Sequence, residues 1–568
     1  MRKFYSKIKF FFTDDSRKIK KNDFIIMGVM VLLYGILSFA NLGTLKNPQT
    51  FLTFELAGNE ATLEIDGGET EISKIRHFSG VEEGSYLLLG STDGVSYTEI
   101  SVIDEEYSFS WYDNYLDNVK LKYLKIVAKE DGKSIGEIGL YDKYGEKVKL
   151  KSEYERSRLL IDEAESIPAF IDHTNSMYFD EIYFAKSAYQ YIHGIPTTEW
   201  VHPPLGKLLQ MIPILFLGMT PFAYRLMGNI AGILMIPVLY IFAKNMFKNR
   251  KYALLAGSLM MFDTFHFAQT RMGTVDSFLV LFMMISALFM YKYLLLDKYD
   301  SIKPKLKYLL LSGLFFGLAT CVKWTGLYLG LGLAIMFFGK LIRDYFKDKK
   351  ISGQYKKIIP WCVLTFVLIP VIIYILSYFI FPNVYPREVN SFSALITQIK
   401  DMFSYHSGLE DTHPFSSKWY TWPVMLKPVW YYTSSIGEGL KSTIVGIGNP
   451  AIWWVGILGA LYTLISAIKS KKLENVFLIV MMLALFLPYA FIGRVMFMYH
   501  YFPVLPFLML GIVALLKFLH EKFKNIWIIG IYIAAVIILF GWFYPVVSGS
   551  SMPETYIDSL KWLSTWYF

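Results

Sequence analysis

Cysteine is almost missing from this chain: Cys321 and Cys362 are the only two in 568 residues. Both fall in or beside apolar runs, so neither a disulfide framework nor a CxxC metal site is available. Charge is scarce too. Asp, Glu, Lys and Arg make up 18% of the chain, against about 25% in ordinary soluble domains, so a single water-soluble enzyme, a disordered chain and a nucleic-acid-binding protein all fit poorly. No GxGxxG or GxxxxGKS/T string occurs, which argues against a soluble nucleotide-sugar donor held on a glycine-rich phosphate loop.

Apolar residues are abundant, at 54% of the chain, with 17% aromatic. They collect in runs of about 17 to 25 residues, the length that crosses a hydrocarbon core about 30 Å thick as helix. The first run extends from Phe24 to about Leu42; it is long enough to span and lacks a small-residue cleavage pattern, so it is expected to remain as an anchor. Further runs lie near 222–243, 252–268, 274–292, 306–321, 324–342, 358–381, 451–468, 474–492, 499–517 and 525–546. The expectation is a polytopic α-helical membrane protein with about 11 transmembrane helices. With a cytoplasmic N-terminus, more than half of the 56 Lys and Arg residues fall in inside segments, while the short loops opposite carry almost single cations, Arg271, Lys323 and Arg494. The formal charge of +9 thus reflects topology, with no nucleic acid as partner.

Segments 42–221 and 381–450 then lie outside. Within the first, about 50–150 reads as short alternating stretches (SYLLLGS, LKYLKIVAK) between turn signals such as Asp66-Gly67-Gly68 and Asp93-Gly94, the pattern of an all-β domain. Its paired strings SYLLLGSTDGVSYTEI and LKYLKIVAKEDGKSIGEIGLYD resemble the discoidin (galactose-binding-like) sandwich, which implies sugar binding by analogy only; a spacer or stability module is the plainer reading.

Polar residues among membrane helices are costly, so those retained have a job or a partner. Here they converge on the outer face. Asp180-Glu181 stands inside the aromatic string MYFDEIYF. Adjacent side chains diverge by about 100° on a helix, so one acid would reach a substrate and the other be tied elsewhere, unless both only cap a helix N-terminus. Twenty residues on, WVHPPLGK places His202 before Pro203-Pro204, which launch the amphipathic segment LGKLLQMIPILFLG, read as lying along the outer membrane surface. A histidine there is either a hydrogen-bonded structural residue or part of a site. The aromatic run Trp419, Tyr420, Trp422, Trp430, Tyr431, Tyr432 suits an interfacial belt, with the remainder free to stack on sugar or line an acceptor groove.

Taken together, YFDEIYFAK, HPPLGK, Tyr224-Arg225-Leu226, Thr270-Arg271 with Asp276, VKWTGL at 322–327, SYHSGL at 404–409, HPFSS at 413–417, WYTWPVMLKPVWYY at 419–432, GNPAIWW at 448–454 and MYHYFP at 498–503 resemble the protein O-mannosyltransferase family, and its bacterial branch. The inserted β domain is not part of the usual family core, and residues 382–450 are too few for the β-trefoil domains of eukaryotic members. The resemblance implies a C-type glycosyltransferase (GT-C) fold and inverting transfer of mannose from polyprenyl-phosphate mannose to Ser or Thr hydroxyls of exported proteins. A hydroxyl is a weak nucleophile that needs a positioned base, a role the resemblance gives to Asp180, with Glu181 orienting. The lipid phosphate leaves as a stable anion and needs cations more than a proton: Arg225 and Lys323 first, then Arg271 and Arg494, with His406 and His500 adding hydrogen bonds and His202 and His413 as further site candidates. No cluster has metal-ligand spacing and no obligatory cofactor or metal is expected. Membrane lipids, the lipid-linked donor and an exported protein or peptide are the expected partners, and a dimer is compatible with the reading.

The organisation expected is a cytoplasmic N-terminus and first helix at 1–45, the extracytoplasmic insertion at 46–165, the catalytic outer loop and membrane core at 166–381, a large outer loop at 382–450, and a four-helix region with an outer tail at 451–568. The setting is a bacterial plasma membrane with the active site outside. A lipid-linked sugar transferase acting on a glycolipid or cell-wall polymer is the alternative enzyme. A transporter lacks support, since there is neither an internal repeat nor a set of central acids.

Overall fold

The computed structural model describes residues 16–349, 352–386, 388–410, 412–437 and 439–568. They divide into two compact units: 41–192 with 210–226, and the remainder, which includes 193–209 and everything from Met227 onward.

The first unit holds ten strands: β1 (Leu52–Phe54), β2 (Glu60–Ile65), β3 (Thr70–Ser79), β4 (Ser85–Ser91), β5 (Thr98–Asp104), β6 (Trp111–Leu121), β7 (Tyr123–Ala128), β8 (Lys133–Asp142), β9 (Lys147–Val148) and β10 (Leu150–Lys151). They form two antiparallel sheets, ordered β1-β8-β3-β6 with β9 on β8, and β10-β2-β7-β4-β5. Every second residue of β2, β4 and β7 is buried, as strands with one face on a core require. Leu63, Ile65, Ile75, Leu88, Leu124, Ile126 and Leu140 fill the space between the sheets. A second apolar cluster joins Phe78, Phe109 and Trp111 of the sandwich to Ala185, Ala188, Ile214, Met219, Ala223 and Tyr224. The sandwich therefore shares a core with the helical residues that follow it. At Gly43 the backbone runs so close to Pro221 and Phe222 that a Cβ would lie 2.6 Å from the Phe222 nitrogen.

The second unit is helical. Among the described residues of the whole chain, nine helices are long and apolar enough to cross a membrane, and two shorter apolar helices cover Leu205–Leu217 and Trp527–Phe543. The count of eleven is therefore not confirmed: the run expected at 525–546 is the shorter helix Trp527–Phe543, and a local break interrupts another. The run expected at 252–268 breaks into Arg250–Met261 and Thr264–Arg271, because Asp263 turns out of the first helix and caps the second by accepting the His266 N–H. Asp263 also accepts the Trp453 indole N–H at 3.0 Å, so the break is built in. Helices Pro450–Ser470 and Leu505–Phe523 meet backbone to backbone, since a Cβ on Gly459 would stand 2.7 Å from the Ile512 nitrogen. Small residues permit that approach where lipid offers no hydrophobic drive.

Candidate active site

In the first unit, the acidic pair stands at the head of helix Glu181–His193. Phe179 takes the left-handed φ of 53° that side chains seldom adopt, turning the chain so that the Asp180 carbonyl accepts the Tyr183 and Phe184 N–H groups and starts the helix. Asp180 is half-buried. Glu181 is fully buried, and its two carboxylate oxygens accept Nε and Nη2 of Arg225, both at 2.7 Å. Arg225 gives its remaining N–H groups to the carbonyls of Leu42 (2.9 Å), His173 (2.6 Å) and Ser176 (3.1 Å), and its guanidinium lies over the Tyr178 ring at 4.8 Å. All five donors are thus taken up by protein. Arg225, expected at the donor phosphate, is instead a buried strut for Glu181.

The second unit brings together the other candidates. Glu199 is buried, with one carboxylate oxygen 2.7 Å from His202 Nδ1 and the other 2.6 Å from Lys207 Nζ. Lys207 also donates to the His202 carbonyl at 3.1 Å. Burial would raise the Glu199 carboxyl, but Lys207 and His202 overcome it and hold it below the usual carboxylate range. His202 is pushed down by burial, against the pull of Glu199, with Lys323 and Lys207 adding to the push. Its ring meets that of His406 at 5.4 Å. His406 donates Nε2 to the Val201 carbonyl at 2.7 Å, packs on Trp324, and is lowered to about 4 by burial together with the charges of His202 and Arg494. Burial thus favours the uncharged form of both imidazoles, which serve as hydrogen-bonding groups.

Lys323 ends its helix and binds both carboxylate oxygens of Asp276 at 2.8 and 3.0 Å, with its ammonium over Tyr499 at 5.7 Å. Tyr499 stacks on His500 at 4.5 Å, and His500 on Trp422 at 5.9 Å. Arg494 is half-buried and has neither a hydrogen bond nor an ion pair among the described residues. His202, His406, His500, Lys323 and Arg494 thus converge on one electropositive region of this unit, and a cleft of about 430 Å³ opens at Trp200, Gln398, Asp401, Ser404 and Tyr405 beside it. Two candidates are elsewhere. His413 is exposed and packs on Phe415 and Phe497. Arg271, expected as a fourth phosphate ligand, donates to the carbonyls of Ser38, Ala40 and Ser548 and serves to fasten the end of the first helix.

Residues 168–385 match the family model described as dolichyl-phosphate-mannose-protein mannosyltransferase, and residues 391–566 match that of the C-terminal four-helix membrane region of protein O-mannosyltransferase. The chain belongs to the protein O-mannosyltransferase family. It is 25% identical over 461 residues to the polyprenol-phosphate-mannose–protein mannosyltransferase of Mycolicibacterium smegmatis, covering 68% of this chain and 87% of that protein. The Corynebacterium glutamicum enzyme of the same name is 25% identical over 427 residues, covering 64% and 81%. Among solved structures, the Pmt1–Pmt2 complex of Saccharomyces cerevisiae bound to the sugar donor superposes with a TM-score of 0.61 at 15% identity, covering 69% of this chain and 89% of that one. The helical core has the GT-C fold.

For this family member, reading residues singly missed Glu199 and Lys207. The signal was present: an acid three residues before His202 and a lysine five after it flank the Pro-Pro start of one helix, spacing that lets all three meet. Asp276 stood only in the family string with Thr270-Arg271 and had no assigned partner until Lys323 came beside it.

Proposed function

We propose that this glycosyltransferase transfers mannose from polyprenyl-phosphate mannose to exported proteins, with family membership over both halves of the helical chain as the observation that carries the reading. The relatives named above act on proteins with a polyprenol-phosphate-mannose donor, and this chain spans most of their length.

The finer steps belong to the same proposal. A Ser or Thr hydroxyl of the acceptor attacks the anomeric carbon from the face opposite the phosphate. Asp180 takes the hydroxyl proton as the new C–O bond forms, and the bond to the lipid phosphate breaks with its electron pair, inverting the centre. The phosphate departs as an anion onto cations already in place, which is where preorganised charge acts most effectively. Lys323 and Arg494 are assigned that role, with His202, His406 and His500 as hydrogen-bonding neighbours and no obligatory metal. Two geometric facts support the division of labour: Glu181 is paired with Arg225, and Arg494 makes no ion pair with a carboxylate among the described residues. The orientation proposed puts these residues outside a bacterial plasma membrane, where exported acceptors pass.

The test is direct. Purified full-length protein, incubated with labelled polyprenyl-phosphate mannose and a Ser/Thr peptide, should place label on the peptide hydroxyl with inverted anomeric configuration, and added chelator should leave the rate unchanged. Label appearing only on lipid acceptors would replace this reading with the glycolipid one.

A further inference from the structure

The β-sandwich invites the idea of a screen that selects acceptors without touching the chemistry. Its contacts point elsewhere. The turn between β3 and β4 carries Glu82 and Glu83, and both carboxylates grip Lys186 of helix Glu181–His193, with Nζ 3.1 Å from Glu82 and 3.3 Å from Glu83. The Lys186 side chain is 4% exposed, so its ammonium depends on those two acids for compensation. Gln190, one turn further along the same helix face, donates to Glu82 at 3.3 Å. Glu83 is itself fixed from behind by the Ser108 hydroxyl and N–H.

Apolar packing acts on the same helix. Ala185 and Ala188 present a flat face into the cluster that holds Phe78, Phe109 and Trp111, and Phe109, at a left-handed φ of 50°, sets its ring edge-on to Tyr189 at 5.1 Å. A third link runs through the backbone. The Trp111 N–H donates to the Ser176 hydroxyl at 3.1 Å, and the Ser176 carbonyl accepts Nη2 of Arg225, the partner of Glu181.

We propose that the sandwich is the mount of the acidic pair and that Lys186, clasped by Glu82 and Glu83, is a positioning residue for mannosyl transfer. The inference rests on the reading of Asp180 as base. A helix clasped, packed and backbone-tied by one domain keeps its first residues where that domain puts them. Displacements of about 1 Å in a reacting group cost up to about 10²-fold in rate.

The experiment is steady-state kinetics of the full-length enzyme with donor and a short Ser/Thr peptide. Lys186→Met should lower kcat roughly 10- to 100-fold with both KM values unchanged, and Lys186→Arg should recover most of it. Glu82→Gln with Glu83→Gln should reproduce the loss, and adding Lys186→Met to that pair should cost nothing more, as for members of one clasp. Because the Glu82 side chain is 38% exposed, Glu82→Gln alone provides a variant that folds even if Lys186→Met does not; it should show a smaller drop of the same kind. Wild-type kcat in folded Glu82→Gln and Lys186→Met proteins, or a loss in KM alone, overturns the proposal. Asp180→Asn run in parallel separates the failures. If it stays active, the base assignment is wrong; if it is dead while the clasp variants have normal kcat, only the mount is wrong.

Discussion

Around Arg225 every guanidinium donor meets a protein acceptor, whereas Arg494 meets none among the described residues. The first is 1% exposed and paired with a fully buried carboxylate; the second is half-buried and makes no ion pair among the described residues. The contrast separates two uses of a cation near a membrane. One whose charge is cancelled inside the protein is framework, because taking it out of water is repaid only by the partner already there. One without a protein anion gains most from an anion that arrives, since charge-assisted bonds to phosphate are short and strong. Lys323 lies between the two, bound to Asp276 yet beside the histidines.

The largest effect expected is at the residue adjoining the framework pair. Asp180→Asn keeps size and polarity and removes the proton acceptor, so kcat should fall by about 10² to 10⁴ with the melting temperature unchanged. Near-native turnover would falsify the assignment of the base. Glu181→Gln should be damaging but less absolute; the reverse order of severity would exchange the two roles.

Next comes the framework itself. Arg225→Met strands the Glu181 carboxylate in an apolar pocket, and breaking a buried pair in this way costs about 3–5 kcal/mol. The protein should lose thermal stability in detergent before any change in donor affinity can be measured. Removing both charges, with Glu181→Met added, should return part of that stability, because no lone ion remains. A stable Arg225→Met enzyme with weakened donor binding would break the comparison.

On the other side of it, Arg494→Gln should leave the melting temperature alone and raise the KM for the lipid donor roughly 10- to 100-fold, the worth of a charge-assisted bond of about 1.5–3 kcal/mol. Lys323→Met should do the same with some loss of stability, since Asp276 is left without its partner. Lys323→Arg should restore it only in part, a planar fork being a poor copy of a point charge. If Arg494→Gln changes neither constant, the cation is a surface charge and the phosphate site must be sought around Lys323 alone.

How much of this could be read from the letters alone differs by residue. The membrane core was legible because hydropathy over 17 or more residues needs no tertiary knowledge, and the family showed through because its strings occur in a fixed order. The break at Asp263 was not. The Trp453 partner that holds it lies 190 residues away in sequence, and an apolar run with one acid still reads as a span. Arg225 and Arg271 misled for the same reason: a motif fixes residue type, but whether its donors point at protein or at a ligand depends on carbonyls such as Leu42 and Ser548 that no local pattern announces. The clasp on Lys186 was hidden likewise, since Glu82 and Glu83 read as ordinary turn acids until β3 and β4 bring them to the helix.

The smallest effect tests a buried carboxyl that makes no ion pair among the described residues, the case opposite to Glu181. Glu137 on β8 is 1% exposed; one carboxylate oxygen accepts the Glu163 N–H at 2.8 Å and the other has no hydrogen-bond partner among the described residues. Burial, against the pull of that N–H and with the charges of Asp162 and Glu163 adding to it, pushes the carboxyl up to about 8 from an ordinary 4.5. Between those two values the folded sandwich holds a proton that the unfolded chain has released, so stability falls as pH rises through the window and levels off above about 8. Glu137→Gln keeps the neutral shape at every pH. It should remove the slope and raise stability at pH 8.5 by about 1–2 kcal/mol, a buried acceptor's usual cost, while changing little at pH 4.5. Hydrogen exchange of the β3 and β8 amides in the full-length protein reads this locally. A slope that persists in the variant would assign the pH dependence to another group, and Glu137 would join Glu181 as a carboxylate whose charge the fold has already met.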